Sequence, residues 1–211
     1  MSAPLDVDAL MRRRPVIPIL TVEAAEHAVP LARALAAGGL DVMEVTLRTP
    51  AALEAIAAIA SEVPEVVVGA GTILNRDDLA RALDAGARFI VTPGLTDDLI
   101  AALVDANLPL LPGVATASEL MRGLAAGLTH FKFFPAEAAG GAPVLAAFLG
   151  PFATARFCPT GGLNAGNAAG YLSLANVLCV GGAWVAPPAA IRAGDWGAIT
   201  ALAREGAALR S

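Results

Sequence analysis

Residues 42–71 read VMEVTLRTPAALEAIAAIASEVPEVVVGAG. Val42 to Leu47 is a short apolar run of strand character. Ala51 to Ala60 is an alanine-rich stretch with apolar residues at helical spacing, and Val66 to Ala70 is a second strand-like run. A strand, a helix and a strand joined by short turns predict parallel strands linked by a right-handed crossover. The rhythm continues in both directions. Strands are expected at Val16–Leu20, Phe89–Val91, Leu108–Leu111, His130–Phe134, Arg156–Cys158 and Val177–Val180, making eight in all. Helices are expected at Ala24–Ala37, Asp77–Ala85, Asp97–Ala106, Ser118–Ala126, Ala142–Leu149, Ala165–Leu174 and Trp196–Leu209, several followed by glycine, a common stop signal. Eight β-then-α units predict an α/β fold, a closed (β/α)8 TIM barrel, with a leading helix from Leu5 to Arg13 covering its bottom. The first strand runs into Thr21-Val22-Glu23 with no GxGxxG, which argues against a dinucleotide-binding sheet.

Composition agrees with a largely buried chain. Of 211 residues, 56% are hydrophobic and 16% charged, and no linker or charge block divides them, so residues 1–211 read as one domain. The net charge is −5 and the basic residues are scattered apart from Arg12–Arg14, which makes nucleic acid a poor partner. Mean hydropathy is +0.66, yet glycine, proline and asparagine interrupt the uncharged stretch from Phe157 to Ile191 too often for a membrane span. The opening MSAPLDVDALMRRRP places acids before its arginines and has no apolar run with a cleavage site, so the expected location is cytoplasmic. Cys158 and Cys179 lie in apolar runs without CxxC spacing and read as buried free thiols.

Of the 14 basic residues, Lys132 alone is lysine, and it sits in Phe131-Lys132-Phe133-Phe134. Arginine stays protonated at neutral pH, whereas a desolvated lysine can lose its proton and attack a carbonyl to form a Schiff base. The plainer alternative is a lysine whose stem lies on apolar surface while its ammonium reaches water. In Glu44-Val45-Thr46-Leu47-Arg48, period-2 alternation puts Glu44, Thr46 and Arg48 on one face. Glu44 could serve as general acid and base and Arg48 could hold a carboxylate, or the two could form a structural ion pair. Thr160-Gly161-Gly162 and Gly181-Gly182 follow the last two expected strands, where barrels often bind phosphate through backbone N–H groups; tight turns are the alternative. Thr72 and Pro93 fall at strand ends, Thr72 being equally suited to capping the next helix. His130 reads as a core histidine and His27 as a solvated or capping one. No metal-ligand spacing, GxSxG elbow or Ser/His/Asp set is present.

Taken together, PVIPIL, EVTLRTP, VVVGAGTILN, VTPGLT, FKFFPAE, RFCPTGGL and VLCVGGAWV resemble the 2-dehydro-3-deoxy-phosphogluconate (KDPG) aldolase and 4-hydroxy-2-oxoglutarate aldolase family over nearly the whole chain. The resemblance implies a class I aldolase of the Entner-Doudoroff pathway, without metal or cofactor. It would cleave a phosphorylated 2-keto acid to pyruvate and D-glyceraldehyde 3-phosphate, and would be a cytoplasmic homotrimer with no nucleic-acid or membrane partner. It makes Lys132 the Schiff-base residue and Glu44 the proton-transferring one. Arg48 and Thr72 would contact the substrate carboxylate, Pro93 and Phe134 would line the pyruvate pocket, and Thr160 would reach the sugar hydroxyls. Gly161, Gly162, Gly181, Gly182 and Ala183 would hold the phosphate. Many relatives read GGSW where this chain has Gly182-Ala183-Trp184. The missing hydroxyl would cost ~0.5–1.5 kcal/mol of phosphate binding. Competing readings are an aldolase for the galactonate epimer, a metal-dependent phosphate-binding barrel such as an epimerase, and a barrel that binds a metabolite without catalysis.

Overall fold

The strands of this chain are two to five residues long, so its fold rests on how they pair. The computed structural model describes residues 6–105 and 108–210. Leu5, the expected start of the leading helix, and Ala106, the expected end of the fourth, lie outside the described residues. In chain order the elements are α1 (Val7–Arg13), β1 (Val16–Leu20), α2 (Ala28–Ala37), β2 (Val42–Thr46), α3 (Ala52–Glu62), β3 (Val67–Gly71) and α4 (Arg76–Asp84). Then come β4 (Ile90–Val91), α5 (Asp97–Asp105), β5 (Leu110–Leu111), β6 (Gly113–Val114), α6 (Ala117–Ala125), β7 (His130–Phe133) and α7 (Gly141–Phe148). The chain closes with β8 (Arg156–Pro159), α8 (Ala168–Leu172), β9 (Val180–Gly182), α9 (Pro188–Ala193) and α10 (Trp196–Ala207).

Every strand pair between these elements is parallel. One sheet runs β5-β4-β3-β2-β1-β9 and a second runs β6-β7-β8. β5 and β6 flank Pro112, which has no N–H to give a ladder but whose carbonyl accepts from Lys132 N at 2.9 Å. Single bridges, Phe157 to Val177 and Thr160 to Gly181, join β8 to the segment of β9. The expected α/β architecture of parallel strands alternating with helices is therefore present.

Alternation along the strands divides the interior. Met43 and Val45 of β2 and Phe131 and Phe133 of β7 join the larger apolar cluster, which includes residues from α2, α3, α4, α6, α7 and α10. Ile17, Val42, Val67, Leu111 and Cys158 belong to a second cluster with Leu10 and Met11 of α1. Glu44 and Lys132 share the strand face of this second cluster by the period-2 rule, as the sequence alternation requires.

Two expectations shift, and one helix was not expected. The last strand is Val180–Gly182 rather than Val177–Val180, so Gly181 and Gly182 lie within a ladder opposite Ile17 and Pro18 and not in the turn after it. A Cβ at Gly181 would overlap the Thr160 hydroxyl, so glycine is the residue that lets these strands approach. The stretch expected as helix from Ala165 is helical only over Ala168–Leu172, because Asn164 and Asn167 engage backbone amides in a turn before it. The sequence also hides α9, which starts at Pro188, a residue suited to the first helical turn. α6 carries a full capping box between Thr116 and Glu119. Among the described residues no helix is long and apolar enough to cross a membrane.

Candidate active site

β2 and β7 each bring one charged side chain inward. Lys132 and Glu44 are both 2% exposed, and Lys132 Nζ lies 3.4 Å from Glu44 Oε1. Burying two charges is expensive unless they face each other, so each is the condition for the other's burial. Glu44 has room because its side chain reaches over Gly71 of β3, two residues beyond its register partner Gly69; a Cβ at Gly71 would overlap the carboxylate. On the other side, Lys132 Nζ stands 5.1 Å from the centre of the Phe134 ring, close enough for a cation–π contact. The amine thus has a carboxylate for proton exchange and an aromatic face that excludes water.

Beyond the end of β2, Arg48 is exposed, and its Nε donates to Thr72 Oγ1 at 3.1 Å. Thr72 follows β3 with φ +62°. A β-branched residue in the left-handed region is strained by about 1–3 kcal/mol, a cost typical of functional sites. The two residues expected to contact the substrate carboxylate are thus brought together, beyond the end of the strand that carries Glu44.

A cavity of about 160 Å³ is lined by Ile19, Arg48, Lys132 and Phe134 and by Thr160 to Leu163, Gly181 and Ala183. Eight of the expected site residues meet there. Glu44 touches the site through Lys132 and Thr72 through Arg48, and Gly182 sits between two lining residues. Pro93 is not among the lining residues; its peptide with Gly94 packs on Gly113, where a Cβ would overlap it, and Gly113 is the register partner of Lys132. Gly161 and Gly162 have φ of +102° and +82°, and among the described residues the amides of Gly162 and Ala183 have no partner within the chain. Such consecutive left-handed residues form a concave set of donors for an anion. Two larger surface grooves, one lined from α2 and α10 and one from α2 and α3, contain none of these residues.

The sequence assigned no role to several groups near the site. Ile19 and Leu163 line the cavity, and only the inward phase of VIPIL pointed to the first. Thr46 is fully buried and donates to Leu20 O at 2.9 Å, bracing β2 two residues beyond Glu44. Thr92, also fully buried, accepts from Gly113 N at 3.1 Å and donates to Gly94 O. Of the histidines, His27 stands partly exposed at the N-cap position of α2, in line with its expected solvated or capping place, whereas His130 departs from expectation. His130 is not a core residue: at the start of β7, its Nε2 lies 3.2 Å from Asp8 Oδ1 of α1 and its Nδ1 3.0 Å from Thr129 Oγ1. His27 meets Trp196 edge-on at 5.9 Å. Cys158 and Cys179 are both buried, as expected, and Cys158 is a free thiol. Among the described residues no three His, Cys, Asp or Glu gather as a metal-binding group.

Comparison with known proteins places this geometry. Residues 7–202 match the aldolase family described as KDPG and KHG aldolase. The KHG/KDPG aldolase of Escherichia coli K12 is 54% identical over 198 residues, covering 94% of this chain and 93% of the relative. The 2-dehydro-3-deoxy-phosphogluconate aldolase of Dickeya dadantii is 52% identical over 95% of this chain and 94% of its own length. Among solved structures, KDPG aldolase from Legionella pneumophila, with pyruvate captured as a covalent carbinolamine intermediate, superposes with a TM-score of 0.95. It is 46% identical, over 97% of this chain and 99% of that one.

Proposed function

The chain belongs to the KDPG and KHG aldolase family, and on that premise we infer that it is a 2-dehydro-3-deoxy-phosphogluconate aldolase. It is a carbon–carbon lyase of Schiff-base type, cleaving 2-keto-3-deoxy-6-phosphogluconate to pyruvate and D-glyceraldehyde 3-phosphate. The observation that carries the mechanism is the buried contact of the sole lysine with Glu44. The double name of the Escherichia coli relative supports a second activity on 4-hydroxy-2-oxoglutarate.

In this reading Lys132 Nζ, as the neutral amine, adds to the C2 ketone, and Glu44 passes protons while the carbinolamine loses water. The resulting cationic imine draws the C3–C4 electron pair toward nitrogen. The bond breaks, and the C4 hydroxyl proton goes to Glu44, directly or through one water. The aldehyde leaves, the enamine takes a proton at C3, and water hydrolyses the imine to release pyruvate and Lys132. Arg48, braced by Thr72, binds the C1 carboxylate with its forked donors. Phe134 bounds the pyruvate end, with Pro93 behind it against Gly113, the register partner of Lys132; Thr160 meets the sugar hydroxyls, and the amides around Gly161, Gly162, Gly181, Gly182 and Ala183 hold the phosphate.

The same reading takes the two sheets as one closed (β/α)8 barrel with α1 as its bottom cap, in a single domain spanning the chain. The contiguity of β5 and β6 around Pro112, the bridges from β8 and the packing of Leu10 and Met11 among strand residues support it. A homotrimer in the cytoplasm, with no nucleic-acid or membrane partner, completes the proposal.

Borohydride reduction in the presence of pyruvate, followed by peptide mass mapping, tests the mechanism. The expected result is an adduct on Lys132, unchanged by a chelator and absent in a folded Lys132→Arg variant, whose turnover is abolished. No adduct on the folded wild-type chain would return the metal-dependent and binding-only alternatives.

A further inference from the structure

The loop after β8 is shaped from behind. Thr160 O accepts from Ala136 N at 2.8 Å and Gly161 O from Glu137 N at 3.1 Å. Gly162 O accepts from Asn167 Nδ2 at 3.2 Å. None of these three donors lines the cavity, whereas Thr160, Gly161, Gly162 and Leu163 do. In a planar trans peptide the carbonyl and the following N–H point in opposite directions. Fixing three consecutive carbonyls on the outside therefore turns the amides of Gly161, Gly162 and Leu163 toward the cavity. The first two fixings are backbone bonds from the segment after β7; the third depends on one side chain.

We propose that Asn167 is a positioning residue for the phosphate end of the substrate, and that by holding Gly162 O it presents the Leu163 amide as a further donor beside those of the two glycines. The inference rests on the phosphate reading of this loop given above. Asn167 is itself held in place, because its Oδ1 accepts from Asn164 N at 2.8 Å, so its amide nitrogen is directed at Gly162 rather than free to rotate. The Glu137 side chain packs where a Cβ on Gly162 would sit and accepts the Tyr171 hydroxyl, which closes the other side of the same peptide. Asn167 belongs to the segment after β8, whereas Lys132 lies on β7 and Arg48 beyond the end of β2, so the Asn167 contact bears on the phosphate end rather than the pyruvate end.

Three proteins separate the outcomes: wild type, Asn167→Ala, and Asn164→Ala. The last removes only the side-chain bond to Gly166 N from the same turn. Each is measured for kcat and KM with 2-keto-3-deoxy-6-phosphogluconate, for competitive inhibition by inorganic phosphate, and for exchange of the pyruvate methyl protons in heavy water, which needs Lys132 but no phosphate. In Asn167→Ala, KM for the phosphorylated substrate and the inhibition constant of phosphate are expected to rise together about two- to tenfold, as loss of one oriented neutral hydrogen bond implies. Its kcat and pyruvate exchange stay within twofold of wild type, which also shows that it is folded. Asn164→Ala behaves as wild type. An unchanged KM in Asn167→Ala, an equal loss in pyruvate exchange, or the same KM rise in Asn164→Ala would overturn the positioning role. Absence of phosphate competition in the wild-type protein would overturn the phosphate reading of the loop, and the proposal with it.

Discussion

A lysine and a glutamate 3.4 Å apart inside a protein set strict terms for their neighbours. Gly71 is one of them: its hydrogen lies where a methyl would overlap the Glu44 carboxylate. Gly71→Ala is expected to displace that carboxylate and lower kcat about 10- to 100-fold, the scale of a misplaced catalytic group. The Lys132–pyruvate adduct still forms, more slowly, and stopped-flow trapping would show the difference. At the other end of the cavity, Ala183 is exposed and lines it. Ala183→Ser supplies the hydroxyl that the family resemblance leads one to expect here and should lower KM for the phosphorylated substrate by about two- to tenfold, leaving pyruvate exchange unchanged. A rise in KM would mean that the phosphate does not reach residue 183. Lys132 was legible because composition made any lysine exceptional, and Glu44 and Arg48 because alternation gave them a common face. Asn167, Thr92 and Leu163 were not, since their roles lie in hydrogen bonds or lining positions that only the folded loops create.

At the scale of elements, the tether of α1 illustrates what sequence periodicity omits. Arg13 and Arg14, at the end of α1, both bond Asp41 at the entry to β2, with closest distances of 2.6 and 2.7 Å. Burial alone would raise the Asp41 carboxyl, but the Arg13 and Arg14 guanidinium groups outweigh it and hold the group below its ordinary 3.8. A depressed carboxyl stabilises the fold above its unfolded value and loses that contribution as pH falls through the lower folded value. Asp41→Asn should therefore cost about 1 kcal/mol near neutrality, discounted for the half-exposed arginines. The gap from wild type should close as pH falls below 3.8, and urea melts across that range would record it. A gap independent of pH would mean that packing, not charge, is what the variant removes. The helices were legible from their amphipathic spacing and glycine stops. The strand of Gly181 and Gly182 was misplaced because glycine rarely favours a strand; here the close approach of Thr160 overrides that preference.

For the molecule as a whole, the alternation of apolar runs and alanine-rich stretches made parallel α/β topology readable. Pairing order and strand limits were not, because parallel ladders join residues far apart in sequence and strands this short carry little periodic signal. One feature of the entire chain has a use outside catalysis. A lysine-specific endoprotease has one cleavable bond in these 211 residues, after Lys132, and the folded chain buries that side chain within β7. Cleavage requires the sheet to open, so its rate at low protease reports the population of opened molecules. Denaturant should bring a single cut, with no nicking of surface loops to confuse it. Reduction with pyruvate would turn the same amine into a carboxylate-bearing secondary amine that the protease no longer accepts. The residue that makes the bond to substrate is thereby also the chain's own gauge of unfolding and of modification, read from one band on a gel.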